Sequence, residues 1–317
     1  MNPVLGRRSR ILAATTATAG LLLVAGCSSD GGGGSTTVKG VKLVKAGQLT
    51  TCTHLPYPPF QSEIDGKVQG FDVSLIDLVA KNLGVKQEFI DTPFENFKTG
   101  AFLNSGECDL AAAGMTITDE RKKNVDFSDP YFDATQAVLV DKKSGITSFA
   151  DLKGKKVGTQ AQTTGEDYAT SHGLDPVSFE SSDAVLNGLR TGQVQAVIID
   201  YPVVQGWLKD KANADAFQVA DNINTGEQYG FSVKKGNTAL LAAINKALTD
   251  AKADGTYKTL YEKWIGPYDE SAASPSPSAS ASASASASPS DSAAVSTPSD
   301  SATPTDAVSA SVSASAS

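Results

Sequence analysis

Short apolar runs and amphipathic stretches alternate along the middle of the chain. Residues 48–54 read as a strand, and Phe71, Leu75, Ile76, Val79 and Leu83 recur at helical spacing ahead of Gly84, which predicts a helix over 71–83. A second strand is expected at 85–90, a helix without a clear start within 94–104, and a buried strand at 108–113. This is the β-α-β-α-β order of a doubly wound α/β sheet. A second unit follows the apolar run 137–140. Ser148 and Asp151 have capping-box spacing, 155–159 reads as a strand, and Thr164-Gly165-Glu166-Asp167 repeats the capping pattern before a short helix closed by Gly173. A helix at 182–190 and strands at 194–200 and 229–233 come next. The pattern closes on two helices, one carrying Leu240, Leu241, Ile244, Leu248 and Ala251, the other Tyr257, Leu260, Tyr261 and Trp264.

The two ends are different material. Arg7, Arg8 and Arg10 precede an apolar stretch, 11–25, that is shorter than the roughly 20 residues of a membrane span and reads as a signal peptide. Its end, Leu23-Val24-Ala25-Gly26-Cys27, resembles the lipobox of bacterial lipoproteins, which implies that Cys27 is diacylated (palmitate being a usual chain) and begins the mature protein. The plainer alternative is an ordinary cleavage site beside a chance cysteine. Arg7-Arg8 raises a twin-arginine route, but Arg10 sits where such signals carry an apolar residue, so general secretion is expected. Residues 28–43, with glycine at 31–34, read as a flexible tether. Residues 271–317 are dominated by Ser, Ala, Pro and Thr, contain no aromatic residue, Lys or Arg, and are expected to be a disordered spacer.

The remaining body, about 44–270, exceeds a typical single domain of about 100–150 residues, so two compact units are expected. The formal charge is −8 and the body itself is acidic without a basic stripe, which argues against nucleic acid as a partner. Cys52 and Cys108 fit either a pair of buried thiols or a disulfide in an oxidising exterior. No zinc spacing, phosphate loop or nucleophile–base pair is present in the sequence, so no metal, cofactor or catalytic residue is expected.

Polar residues gather after the predicted strands, where open α/β sheets bind ligands. His54, Tyr57 and Phe60 follow the first strand; Gly114, Thr116 and Arg121 follow the third. Residues 159–164, with Thr163 and Thr164, follow the first strand of the second unit, and Asp200 ends its last. Such a set suits a zwitterion. Arg121 offers a planar fork to a carboxylate; Thr164 adds a helix N-terminus; Asp200, Thr116 and the Gly114 carbonyl can take an ammonium; Tyr57 and Phe60 can wall a hydrocarbon stem. Each has a plainer reading: Arg121 as part of a solvated charged face, Asp200 and Thr164 as caps, the Tyr57–Phe60 turn as packing, His54 as a structural histidine.

The ordered segments Tyr57-Pro58-Pro59-Phe60, Gly70-Phe71-Asp72-Val73, Ala113-Gly114-Met115-Thr116-Ile117-Thr118-Asp119-Glu120-Arg121, Asp126-Phe127-Ser128-Asp129-Pro130-Tyr131, Asp151-Leu152-Lys153-Gly154-Lys155-Lys156-Val157-Gly158 and Asp254-Gly255-Thr256 resemble the family 3 extracellular solute-binding proteins of polar amino acid ABC transporters. The resemblance covers 44–266. It implies a periplasmic-binding-protein-like type II fold, with lobe 1 from 44–134 plus 229–270 and lobe 2 from 135–228, joined by two crossings. It implies an amino acid ligand, a permease with ATPase subunits as partners, and residence on the outer face of the cell membrane, the protein being expected as a monomer. Gly114, Thr116 and Arg121 match the first-lobe ligand loop, Thr163 and Thr164 the second-lobe helix start, Asp200 the ammonium site, Tyr57 and Phe60 the aromatic loop, and Phe94 is the choice for a covering aromatic. It also makes the strands of Cys52 and Cys108 neighbours, implying a disulfide. Where binders of Lys or Arg carry an acidic residue this chain has His54, which favours polar, neutral or acidic ligands over basic ones. Rival readings are an exported cyclohexadienyl dehydratase using His54 or Glu95, and a ligand sensor.

Overall fold

A computed structural model describes residues 35–269. The expected leader, Cys27, residues 28–34 of the tether and the tail lie outside the described residues. Two five-stranded mixed sheets form the frame. The first runs Lys86–Asp91, Gln48–Thr53, Leu110–Ala111, Ser232–Lys234, Val125–Phe127, with the first three parallel and Ser232–Lys234 antiparallel to both neighbours. The second runs Val177–Phe179, Val157–Gln160, Ala196–Asp200, Phe132–Asp141, Phe217–Tyr229, again three parallel strands followed by two antiparallel ones.

The chain passes from the first sheet to the second at 128–131 and returns at 230–231. The expected lobe boundaries, 134/135 and 228/229, therefore fall inside or at the end of the long strands Phe132–Asp141 and Phe217–Tyr229. Backbone bonds tie the crossings together: Tyr131 N–H donates to the Tyr229 carbonyl at 3.0 Å and Ser128 N–H to that of Phe231 at 2.8 Å. Phe60, Phe71, Tyr131, Phe132, Tyr229 and Phe231 pack as one aromatic cluster around them. Phe60, fully buried there, fastens the crossings to the first lobe.

The helix Phe71–Leu83 lies where its spacing predicts, ended by Gly84 in the left-handed conformation, and Ser182–Arg190 likewise. Other elements depart from expectation. The single helix expected within 94–104 is two, Glu95–Thr99 and Ala101–Ser105, because Gly100 between them has φ 63°. The strand expected at 108–113 is only Leu110–Ala111; the backbone beyond it turns to form the Gly114 loop. Residues 36–43, read as tether, form a hairpin (Thr36–Val38 with Val41–Leu43). Val41 and Leu43 alternate with exposed Lys42, and their burial against the helix Thr238–Ala253 and the strand Gln48–Thr53 holds that segment to the body. The strand Phe217–Tyr229 was not expected at all, since a polar run at the edge of a sheet lacks an apolar signal.

Candidate functional site

Tyr57, Phe94, Gly114, Thr116, Arg121, Gln160, Thr163, Thr164 and Asp200 line one narrow, partly open cavity between the two sheets. Eight of these nine are residues the sequence singled out. The parallel-strand ends deliver them: Gly114 follows Leu110–Ala111, Gln160 ends Val157–Gln160, and Asp200 ends Ala196–Asp200.

Arg121 sits on the short helix Asp119–Lys122, whose N-cap Thr118 accepts from the Arg121 backbone N–H at 3.2 Å. The helix face around it is exposed, yet Arg121 is only 3% exposed, so it is not part of a solvated face. Its guanidinium donates to the Thr116 carbonyl at 2.8 Å and, across to the second lobe, to the Gln162 carbonyl at 3.1 Å. The Phe94 ring lies 5.7 Å from it in cation–π contact. Burial pulls the guanidinium below its ordinary range, and the charges of Asp167, Asp200 and Glu227 oppose that shift.

Asp200 occupies the N-cap position of the helix Tyr201–Trp207, which begins with Pro202 in its first turn, but its side chain makes no capping bond. The carboxylate, 6% exposed, instead accepts from Tyr57 Oη at 2.6 Å, from Tyr229 Oη and from Gln136 Nε2. Burial raises its pKa to about 6; the bonds from the two tyrosines and Gln136 pull down, and nearby Glu227 pushes up. Three donors on a group with about four lone-pair sites leave one for a ligand. Tyr57 and Tyr229 are buried beside it, and desolvation lifts both phenols well above their ordinary range, so they stay protonated donors.

Gly114 has φ 56°, a conformation glycine reaches at little cost, and a Cβ there would meet the Tyr57 ring at 3.0 Å. Its N–H donates to buried Asp72 at 2.8 Å, whose other oxygen accepts from Tyr131 Oη at 2.6 Å. A single carboxylate thus links the ligand loop to a hinge crossing. Thr163, not Thr164, caps the helix Thr164–Ser171, accepting from Glu166 N–H at 3.3 Å. The expected capping pattern was one residue late, which leaves the Thr164 hydroxyl available at 3.4 Å from that of Thr116.

Two expected ligand residues lie elsewhere. Phe60 is in the aromatic core, with its ring 6.2 Å from that of Tyr57, and supports the loop from behind. His54 does not line the cavity; its Nδ1 faces the Thr92 carbonyl at 2.9 Å and its ring lies 6.2 Å from Phe94. Conversely, Gln136, Gln160, Glu227 and Tyr229 belong to the site and were not singled out. Gln160 ends a parallel strand, the very position that marked its neighbours, whereas Gln136 and Glu227 come from antiparallel strands that the rule ignores.

Cys52 and Cys108 form a disulfide with Cα atoms 5.7 Å apart, beneath the Phe94, Phe97 and Phe102 cluster. Among the described residues no group of three His, Cys, Asp or Glu side chains is arranged to hold a metal ion, and no helix is long and apolar enough to cross a membrane.

Two α/β lobes with a polar cavity between them, a buried cation on one side and a buried carboxylate on the other, define a binder of small polar solutes. The sequence agrees with the bacterial extracellular solute-binding proteins, family 3, over residues 49–267, and the chain belongs to that family. It is 34% identical over 230 residues to the L-cystine-binding protein TcyJ of Escherichia coli, covering 71% of this chain and 85% of that one. An ancestral arginine-binding protein solved with arginine is 44% identical, with a TM-score of 0.65, covering 69% of this chain and 99% of that one. The ancestral amino acid-binding protein AncCDT-1, described as a precursor of cyclohexadienyl dehydratase, is 38% identical with a TM-score of 0.64, covering 69% and 96%.

Proposed function

We propose that this protein is the substrate-binding component of an amino acid ABC importer, capturing an α-amino acid between its lobes and presenting it to a permease driven by ATPase subunits. One observation carries the reading: Arg121 from the first lobe and Asp200 from the second line the same cavity, both nearly fully buried. A guanidinium fork and a carboxylate facing a common space match the α-carboxylate and α-ammonium of one zwitterion. Thr116, Thr164 and the Gly114 backbone complete the polar wall, and Tyr57 and Phe94 supply its apolar faces.

The ligand side chain is polar. The expectation that a basic ligand is disfavoured rested on His54, which does not line the cavity. Arg121 is the one buried cation among the described residues, and the charges of Asp200 and Glu227 that act on it favour a neutral or cationic side chain over an acidic one. Binding rather than turnover is supported by the positions of the two acid–base candidates: His54 is bonded to Thr92 behind the Phe94 ring and Glu95 is exposed, neither lining the cavity. The motif ending at Cys27 supports export and lipid anchoring at the outer face of the cell membrane, which palmitate labelling of wild type against Cys27→Ala tests.

A thermal-shift screen of the twenty amino acids tests the function. A ligand at about 100 times its Kd stabilises by about 2.7 kcal/mol. At least one polar amino acid is expected to shift the melt and to be recovered unchanged after long incubation. No shift from any amino acid refutes the reading, and chemical conversion of the ligand favours the dehydratase instead.

A further inference from the structure

The end of the first lobe opposite the cavity carries lysines, on a chain whose formal charge is −8. Strand register defines that end. Lys45 bridges to Gln48, where the first parallel strand starts, and Lys234 ends the strand that runs antiparallel beside Leu110–Ala111. The ligand residues follow the other ends of the parallel strands, so a strand of six residues, about 20 Å, separates them from this face. The segment 35–48 holds Lys39, Lys42 and Lys45 and no acidic residue. These three are exposed, as are Lys234 and Lys235. Lys42 and Lys45 make no ion pair among the described residues, and Lys39 and Lys234 donate to the carbonyls of Asn82 and Asn104. Of the acidic groups here, Asp126 faces Lys235 at 3.9 Å, and Asp109 accepts from the backbone N–H groups of Val44 and Thr50 at 2.7 and 2.8 Å. Glu107 alone is exposed without such a bond.

The chain enters the body at the same end. Ser35 borders one surface groove together with Lys42, Lys234 and Lys235. From Cys27 to Ser35 the chain spans at most about 28 Å when fully extended. A body of the length 35–269 has a radius of gyration of about 17 Å, so its width exceeds that reach. With Cys27 held at a bilayer, so short a tether keeps the lysine-bearing end beside the lipid and lobe 2 away from it. We propose that this face seats on an anionic lipid surface, with Lys39, Lys42, Lys45, Lys234 and Lys235 against phosphate headgroups. The inference rests on the lipid anchoring at Cys27 proposed above. At physiological salt, charges more than about 8 Å apart are largely screened, so the acidic remainder of the body does not cancel lysines held at the interface. Basic groups beside a lipid chain strengthen its hold on an anionic leaflet. The seat leaves the cavity, at the opposite strand ends, clear of the bilayer and open to solute. Lobe 2 has exposed lysines of its own, Lys142, Lys143, Lys155 and Lys156, but the chain does not enter there.

The test is lysine acylation by a membrane-impermeant reagent, read by mass spectrometry on the full lipidated protein reconstituted into vesicles. Phosphatidylglycerol mixed with phosphatidylcholine is compared with phosphatidylcholine alone, at low and at high salt. The five lysines are expected to react at least threefold more slowly on the anionic vesicles at low salt, and high salt is expected to remove the difference. The four lysines of lobe 2 are expected to react equally on both. In the variant Lys42→Gln with Lys45→Gln and Lys234→Gln, checked for folding by circular-dichroism melts, the protection of Lys39 and Lys235 is expected to disappear. Equal rates on the two vesicles overturn the inference, and so does protection of the lobe 2 lysines to the same degree. Undiminished protection in the folded variant overturns it as well. Each of these results leaves the anchoring standing, because the protein still floats with its vesicles. Protein that does not float with them fails the anchoring, and the seat falls with it.

Discussion

Asp72 is fully buried in the first turn of the helix Phe71–Leu83, and the bonds that hold its carboxylate come from the Gly114 N–H and the Tyr131 hydroxyl. Burial raises its pKa from 3.8 to about 7, with the two hydrogen bonds pulling the other way. Between about pH 4 and pH 7 the folded protein therefore keeps a proton that the unfolded chain has released. Stability from this group is fully present below the unfolded pKa and is lost as pH rises through the folded one. A shift of about three units corresponds to roughly 4 kcal/mol, lost progressively across that window. Asp72→Asn removes the titration while its amide can still accept from Gly114 and donate to Tyr131. Urea unfolding of both proteins from pH 4 to pH 8 isolates the effect, because every other titrating group cancels in the difference. The stability of Asp72→Asn relative to wild type is expected to climb with pH by up to about 4 kcal/mol. A difference that stays constant within about 1 kcal/mol refutes the reasoning: the Asp72 carboxyl then ionises at the same pH in the folded protein as in the unfolded chain.

Three further outcomes follow from the same geometry. Replacing Cys52 and Cys108 together by Ala opens a loop with a sequence separation of 56 and is expected to cost about 2–4 kcal/mol in urea unfolding, with the ligand still bound. Ligand affinity is expected to fall below about pH 6, as protonation of Asp200 removes the partner of the α-ammonium, a dependence that calorimetry across pH 5–8 detects. Gly114→Ala places a Cβ against the Tyr57 ring at a positive φ, and is expected to weaken binding at least tenfold, read from the same titrations.

The apolar periodicity of 71–83 and the buried runs at 137–140 and 196–200 made the α/β order legible, because their side chains face the core and follow the repeat of their element. Seven cavity residues were legible through the rule that ligands sit at parallel strand ends, and Phe94 through the family resemblance. That rule is blind to Gln136, Glu227 and Tyr229, which arrive on the antiparallel strands next to Asp200. Phe60 and Tyr57 share one turn, and nothing in their spacing tells which ring faces the cavity and which the hinge core. The Val41–Leu43 strand was hidden for a related reason: three residues are too few for alternation to stand out beside a glycine run.

The central claim is that Arg121 and Asp200 hold the two ends of one amino acid from opposite lobes. Both are buried in the cavity, so removing either leaves a ligand charge desolvated without its partner. Calorimetric titration of the amino acid found in the screen into wild type, Arg121→Ala and Asp200→Ala tests this most directly. Each variant is expected to lose about 2–5 kcal/mol of binding, and Arg121→Lys to bind poorly as well, since a point charge does not reproduce the planar fork. Both alanine variants binding within threefold of wild type would contradict the account of the site, whatever the fold around it.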